Sequence, residues 1–258
     1  MVRLLIKKVF FDIWDNLLFL MIMNIGFVVP LALFFLAGSV VEAHGILSVV
    51  LVFIAVLLFS FYSLGVGAVV HGYSRYQKGG FKGFADAYRY HIGHAVLHFV
   101  LMLAFALSAL YVIPFYLAIG NMVGYLLGML TFWILAAFVL ALQYFFPLCF
   151  HMEADGPFKT LRKCFIVMAD NMGLTLFLAL RTVIDLALTI LTASLLPGLG
   201  GISLSRMDTI RLLMKKYDFL EEHPGTRRRD INWEDLLFEE NQLVGPRSLK
   251  GMLFPWKD

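Results

Sequence analysis

The histidines are the side chains of this sequence best suited to carry chemistry. Three of them are spaced i, i+3 and i+7, which would align imidazoles along one helix face as zinc ligands, with Glu153 or Asp155 as a carboxylate partner. Histidine also suits a membrane interface, because it has an apolar body and a polar tip. We favour that interpretation and assign no metal. Five of the seven histidines stay candidate ligands near one end of the apolar segments: His71, His91, His94, His98 and His151.

Arg181 and Asp185 are a second candidate site, because both are ionisable and both fall inside an apolar segment. At 1.5 Å per residue they lie about 10 and 16 Å beyond its start at Leu174. Ionisable groups at such depth are costly, and side chains four residues apart on a helix can pair. The pair is either a substrate or proton site or a structural ion pair, and we favour the structural role. Further partners could come from the next segment: Arg206, Asp208 or Arg211.

Catalytic motifs are absent from the sequence. It contains no GxxxxGK[ST], no GxSxG, no HExxH and no CxxC. Its two cysteines, Cys149 and Cys164, are predicted on the cytoplasmic side, where a reducing environment disfavours a disulfide. We therefore expect no enzyme and no cofactor. A metal-dependent membrane enzyme built on the histidines is kept as an alternative.

The elements that position these residues are long apolar segments. Hydrophobic residues make up 60% of the chain and charged residues 15%, against about 25% charged in soluble proteins. Runs of 18 or more apolar residues cross a bilayer as helices, so we expect an all-α, polytopic transmembrane bundle whose first partner is lipid. The predicted spans are Leu17–Val40, Ile46–Gly72, Ala95–Ile119, Met122–Phe150 and Leu174–Leu196.

Charge in the connecting segments predicts the orientation. Basic residues cluster before the first span and in alternate connectors, and positive connectors stay cytoplasmic. The connectors around Gly45 and Asn121 contain no Lys or Arg. We expect a multi-pass cell-membrane protein with a cytoplasmic N-terminus. The basic residues are Arg3, Lys7, Lys8, Arg75, Lys78, Lys82, Arg89, Lys159, Arg162 and Lys163.

The C-terminal part is more polar than the rest. Ile202–Leu220 is too charged to face lipid, so we expect a turn near Pro197 and an amphipathic sixth segment that returns through the bundle. The alternatives are a sixth segment that enters the membrane only halfway and leaves again, and five spans with an external tail. Residues 205–258 carry ten Lys or Arg and ten Asp or Glu, a balance that excludes a nucleic-acid patch. The predicted units are an interfacial helix at 1–16, a bundle at 17–220 and a cytoplasmic tail at 221–258.

Smaller features suggest packing and docking. Amphipathic patterns predict interfacial helices over 2–15, Phe81–His91 and Phe158–Met168. Glycines every fourth residue indicate close helix packing, favoured here over homodimerisation: Gly120, Gly124 and Gly128. Three residues at the end of the tail should dock on the cytoplasmic face, on the membrane or on a partner: Phe254, Pro255 and Trp256.

Several short stretches resemble one known family. They are Trp14-Asp15-Asn16-Leu17-Leu18-Phe19, Pro30, Leu64–Tyr73, Phe81-Lys82-Gly83-Phe84, Phe146-Pro147 and Pro197. Over about residues 10–200 the chain resembles the YesL-like family of bacterial integral membrane proteins. The family has no established activity, but its members are often encoded beside carbohydrate-uptake transporters. The resemblance therefore implies an accessory role that docks a transporter or another membrane partner; a small transporter using the intramembrane Arg–Asp pair is the alternative.

Overall fold

The computed structural model of the chain describes residues 1–77, 81–192, 195–227 and 230–247. Within these ranges the chain is helical and has no strand, which confirms the all-α prediction. Five of the described helical segments are long and apolar enough to cross a membrane. A π-helix spans Ser108–Val112, between the helices Phe81–Leu107 and Ile113–Ala118. The α-helices are α1 (Val2–Asp15), α2 (Leu17–Val40), α3 (Gly45–Ser74), α4 (Phe81–Leu107), α5 (Ile113–Ala118), α6 (Met122–Leu142), α7 (Phe145–His151), α8 (Pro157–Asp170), α9 (Met172–Leu191), α10 (Gly198–Glu222), α11 (Trp233–Leu236) and α12 (Phe238–Val244).

The third long helix, α4, includes a segment that the sequence predicts as a separate helix. The sequence predicts an interfacial helix Phe81–His91 followed by the span Ala95–Ile119, and the structure has two helical parts that meet at His91. At His91 the backbone leaves the helical conformation (φ −124°, ψ 17°), so the expected boundary is a kink within one helix. The π-helix after α4 precedes Pro114, which lacks the N–H that a continuous α-helix requires.

The fourth predicted span, Met122–Phe150, is interrupted after Leu142 and continues as α7. Pro147 explains the interruption, because it cannot donate to the carbonyl of Gln143 and its ring crowds that group. The interruption lets α7 pack against α3, α8 and α10. It thereby fixes Cys149 and the neighbouring aromatic residues at the end of the bundle where α3 ends.

The amphipathic helices α1 and α8 both form, and their positions relative to a bilayer stay predictions. One face of α1 packs on α10, where Leu5 and Val9 contact Leu212 and Leu237. Lys8 in the same helix is completely buried. The helix α1 is therefore integrated into the fold at the end where α3 finishes. We call this the basic end, since Arg75 follows α3 there.

The predicted amphipathic segment Ile202–Leu220 is the central helix of the structure. It begins earlier, at Gly198, and packs on α1, α2, α3, α7 and α9. Leu204 and Met207 join a core cluster with Val70 of α3 and Leu20 of α2. A helix too polar for lipid is thus enclosed by other helices, which shelter its charged groups.

The α9–α10 connection turns beside Asn24 of α2. The Asn24 amide donates to the carbonyl oxygens of Leu195 (2.9 Å) and Pro197 (3.0 Å) and accepts from the backbone N–H of Gly200 (2.8 Å). Gly198 has φ +64°, and a Cβ there would lie 2.0 Å from the Asn24 side chain, so only glycine fits. The turn lies about 24 Å before the end of α2, since 16 residues at 1.5 Å each separate Asn24 from Val40. From this turn α10 runs back to the basic end, and the number of crossings stays a prediction.

The described part of the tail is folded onto the basic end. It forms two short helices, α11 and α12. The Arg211 guanidinium donates to Glu240 Oε1 (2.6 and 2.8 Å) and to the carbonyl oxygen of Ser74 (2.7 Å), which ties α12 to α10 and α3. Lys7 Nζ donates to the carbonyl oxygen of Gly245 (2.7 Å). The predicted docking residues lie outside the described part of the chain: Phe254, Pro255 and Trp256.

Candidate functional site

A polar cavity of about 230 Å³ lies between the α9–α10 hairpin and helices α3, α4 and α6. Most of its lining is apolar, as in many sites for small molecules, with a few polar groups that could orient a ligand. These polar groups are Ser63, His98, Gln143, Thr182, Ser203 and Arg206. The two hairpin helices form one wall and the longer helices form the other.

Arg206 is the charged residue of this cavity. The burial of α10 holds it there, and its Nε has no hydrogen-bond partner among the described residues. It also makes no direct ion pair with a described residue, although Asp185 of α9 lies within electrostatic range. A guanidinium offers five N–H donors, so donors are left for a ligand in the cavity.

The predicted pair forms as expected, with Arg181 Nε 3.3 Å from Asp185 Oδ2. Of the three further partners considered, Arg206 lies near this pair, while Asp208 and Arg211 bind elsewhere. Two arginines therefore share one carboxylate. The group carries a net charge of +1 inside the apolar bundle, and such an excess favours an additional anion.

The histidines do not form a single site. His98 lies on the cavity, with Nδ1 3.0 Å from Ser60 Oγ, and is separate from its two predicted neighbours. His71 and His151 stack edge to face at the basic end, with ring centroids 4.8 Å apart. The remaining two, His91 and His94, converge instead on Cys149, a residue that the sequence analysis does not include among the candidate ligands.

Of the two proposed carboxylate ligands, Asp155 is already engaged. It pairs with Lys159 Nζ at 2.6 Å and Lys163 Nζ at 2.5 Å. Hydrogen bonds from these two ammonium groups lower the pKa of Asp155 below its ordinary value. Glu153 is exposed and close enough to influence His91 electrostatically. Only Glu153 is therefore available at the histidine cluster.

The three glycines differ in role. A Cβ at Gly124 would lie 2.4 Å from the carbonyl oxygen of Tyr116, and one at Gly128 would lie 3.3 Å from Leu117. Both glycines therefore let α6 approach α5 within the same chain. Gly120 instead has φ +70° and serves the turn between the two helices.

Sequence reasoning missed a buried charge cluster between α1 and α10. Lys8 Nζ lies 2.5 Å from Asp12 Oδ2 and 3.3 Å from Asp208 Oδ1, and all three side chains are almost fully buried. The ammonium also lies 4.0 Å above the ring of Tyr76, whose backbone is left-handed (φ 59°). The i, i+4 spacing of Lys8 and Asp12 was visible in the sequence. Their burial and third partner, 200 residues later, were not.

Burial shifts the pKa values of this cluster. It raises the pKa of Asp12, because desolvation disfavours the carboxylate more than Lys8 stabilises it. The pKa of Asp208 is raised well above its ordinary value for the same reason. For Lys8, desolvation alone would lower the pKa, but attraction to Asp208 and Asp12 outweighs it and the net shift is upward. The cluster thus places two carboxyl groups beside one ammonium, and burial disfavours charge on both carboxyl groups.

Comparisons of the chain with protein-family models, curated proteins and solved structures find no match. The YesL-like resemblance stays a prediction of the sequence. Function must be argued from the cavity and the charged groups around it.

Proposed function

We propose that the protein is a small membrane transporter that binds a small organic anion in the cavity beside Arg206. The observation that carries the proposal is the uncompensated guanidinium, which lines the cavity with free donor capacity. Carboxylates bind guanidinium through paired N–H donors. A ligand carrying one carboxylate would neutralise the net charge of +1, and Gln143, Ser203 and His98 could bind its polar groups.

A second cavity supports a route through the bundle. It holds about 200 Å³, is wholly apolar, and is lined by residues nearer the far end of the helices, such as Phe34 and Leu110. Phe59 and Met102 line both cavities and lie between them. They would act as the barrier that a transported anion must pass.

The α9–α10 hairpin positions Thr182, Ser203 and Arg206 on the cavity. It forms one wall of the polar cavity and turns within the bundle, an arrangement typical of transporter helices that bind substrate near mid-membrane. Its turn is held by the three hydrogen bonds of Asn24.

Thermal unfolding in detergent tests anion binding. A panel of small carboxylates and sugar acids should contain at least one that stabilises the wild type saturably. Arg206→Gln should weaken that binding about 10- to 150-fold, the equivalent of 1.5–3 kcal/mol for a charged hydrogen bond. Arg206→Lys should retain part of it. Lys215→Gln, which removes a positive charge from the outer face of the same helix, is the matched control.

Uptake into proteoliposomes tests transport separately. The stabilising anion should enter vesicles containing wild-type protein, and Phe59→Ala should raise the rate by widening the barrier. Equal binding by the wild type and Arg206→Gln would contradict the proposal. Binding without uptake would leave a solute receptor rather than a transporter.

We also propose that the N-terminus and the folded tail are cytoplasmic. Support comes from the basic connectors, since Arg75 and Lys159 lie at the same end as α1. The accessory role beside a carbohydrate transporter stays a prediction from the resemblance. Affinity purification from the native membrane would test it by identifying a partner.

A further inference from the structure

Two histidines and a cysteine converge where the kink of α4 meets α7. One ligand atom from each of His91, His94 and Cys149 lies within 4.8 Å of the other two. Cys149 and His94 are buried and His91 is half-buried. The non-helical backbone at His91 sets the directions of the two rings, whose centroids are 5.7 Å apart.

Thr160 of α8 fixes the protonation of His94. The Thr160 hydroxyl donates its single hydrogen to the carbonyl oxygen of Gly156 (3.2 Å). The tautomer of His94 with its proton on Nε2 satisfies both contacts, since Thr160 Oγ1 then accepts from Nε2 at 3.0 Å. The proton then resides on Nε2 and leaves the Nδ1 lone pair free, which is the arrangement that second-shell hydrogen bonds give to metal-binding histidines.

We propose that His91, His94 and Cys149 form a zinc site at the basic end of the bundle. Two imidazoles and a thiolate are a ligand set that zinc favours, and three protein ligands leave a fourth position for water or for the carboxylate of Glu153. On binding, the Cys149 thiol releases its proton to water and the sulfur forms the Zn–S bond. No electron is transferred and no other reactant is needed.

The geometry requires only a small closure. In a tetrahedral zinc site with Zn–N of about 2.05 Å and Zn–S of about 2.3 Å, the nitrogen and sulfur atoms are about 3.6 Å apart. The present separations of up to 4.8 Å therefore shorten by about 1 Å, within reach of side-chain rotation. Both cysteines are free thiols, so no disulfide competes for Cys149. The half-buried ring of His91 provides access from the side of Glu153.

Cobalt substitution and zinc titration of the purified protein in detergent test the site. The wild type should bind one Zn²⁺, and Co²⁺ should give tetrahedral visible bands together with a thiolate-to-cobalt charge-transfer band. Cys149→Ser should abolish the charge-transfer band, and His91→Gln should weaken zinc binding more than 100-fold. Thr160→Val, which removes only the hydrogen bond to His94, should weaken it about 10- to 100-fold.

Cys164→Ser is the matched control, since Cys164 is the second buried thiol and is not one of the three ligands. It should keep the charge-transfer band and the wild-type zinc affinity. A band that survives in Cys149→Ser, or disappears only in Cys164→Ser, would overturn the assignment. So would equal zinc affinity in the wild type and His91→Gln. His91 is half-buried, so its substitution remains informative if Cys149→Ser does not fold.

Discussion

In the buried cluster of Lys8, Asp12 and Asp208, we predict that the two carboxyl groups differ in charge. Asp12 lies nearer the ammonium, at 2.5 Å against 3.3 Å, and Asp208 is completely buried. With only one positive charge available, we assign the carboxylate to Asp12 and the proton to Asp208. Asparagine resembles a protonated carboxyl in shape and polarity. Asp208→Asn should therefore lower the free energy of unfolding by about 1 kcal/mol or less, comparable with one ordinary hydrogen bond.

Lys8→Met should be far more damaging. It leaves two buried carboxyl groups without a cation, and removal of one partner from a buried ion pair costs about 3–5 kcal/mol. Asp12→Asn should fall between the two, because Asp208 can then ionise and replace Asp12 beside Lys8. The predicted order of unfolding free energies is wild type, Asp208→Asn, Asp12→Asn and Lys8→Met.

Equilibrium denaturation in detergent at several pH values measures this order. Because the pKa of Asp208 is raised on folding, the folded state holds more protons than the unfolded state above the ordinary carboxyl pKa of about 4. Stability should therefore fall as pH rises through the raised pKa, and Asp208→Asn should reduce that slope. An Asp208→Asn variant as unstable as Lys8→Met, with an unchanged pH slope, would refute the shared-proton arrangement.

Three further predictions concern the hairpin and the orientation of the bundle. Asp185→Asn should destabilise the protein more than Arg181→Met in detergent denaturation, because it leaves two arginines without a carboxylate, whereas Arg181→Met leaves Asp185 with Arg206. Equal losses would exclude Arg206 as a partner of Asp185. Asn24→Ala, which removes three hydrogen bonds, should cost roughly 1–3 kcal/mol and increase protease cleavage at the α9–α10 turn, whereas unchanged cleavage would separate Asn24 from the stability of the turn. Reporters fused after Lys159 and after the last residue should give cytoplasmic signals and one at Gly45 an external signal; an external C-terminal signal would contradict the topology.

The apolar helices could be predicted because hydropathy is a property of local sequence. Leu17–Val40 has the same bounds in the structure as in the prediction. The kink at His91 and the interruption before Pro147 were harder to predict from the sequence, since apolar runs continue through both. Pro147 did carry a usable signal, because a proline within a helix displaces the carbonyl four residues earlier.

The candidate sites were less predictable because their members come from distant parts of the chain. Helical spacing placed His98 with His91 and His94, but His98 lies one turn beyond His94 and contacts Ser60 of α3 instead. Cys149 has no motif partner in the sequence and joins the histidines only through the packing of α7. Arg206 was recognised as a charge that lipid would reject, yet the polar cavity that accommodates it exists only after α10 packs against α3 and α9.

The contacts between the two ends of the chain bear on the number of crossings. Lys7 donates to the carbonyl oxygen of Gly245, and Arg247 pairs with Asp15 at 2.8 Å, so α1 and the tail lie at the same end of the bundle. An odd number of crossings would place them at opposite ends. Termini at one end fit a hairpin in which α10 returns the chain to the end where α9 begins. A helix with the length and hydropathy of a membrane span is here followed by a charged helix that neighbouring helices shelter, so hydropathy alone does not give the number of crossings.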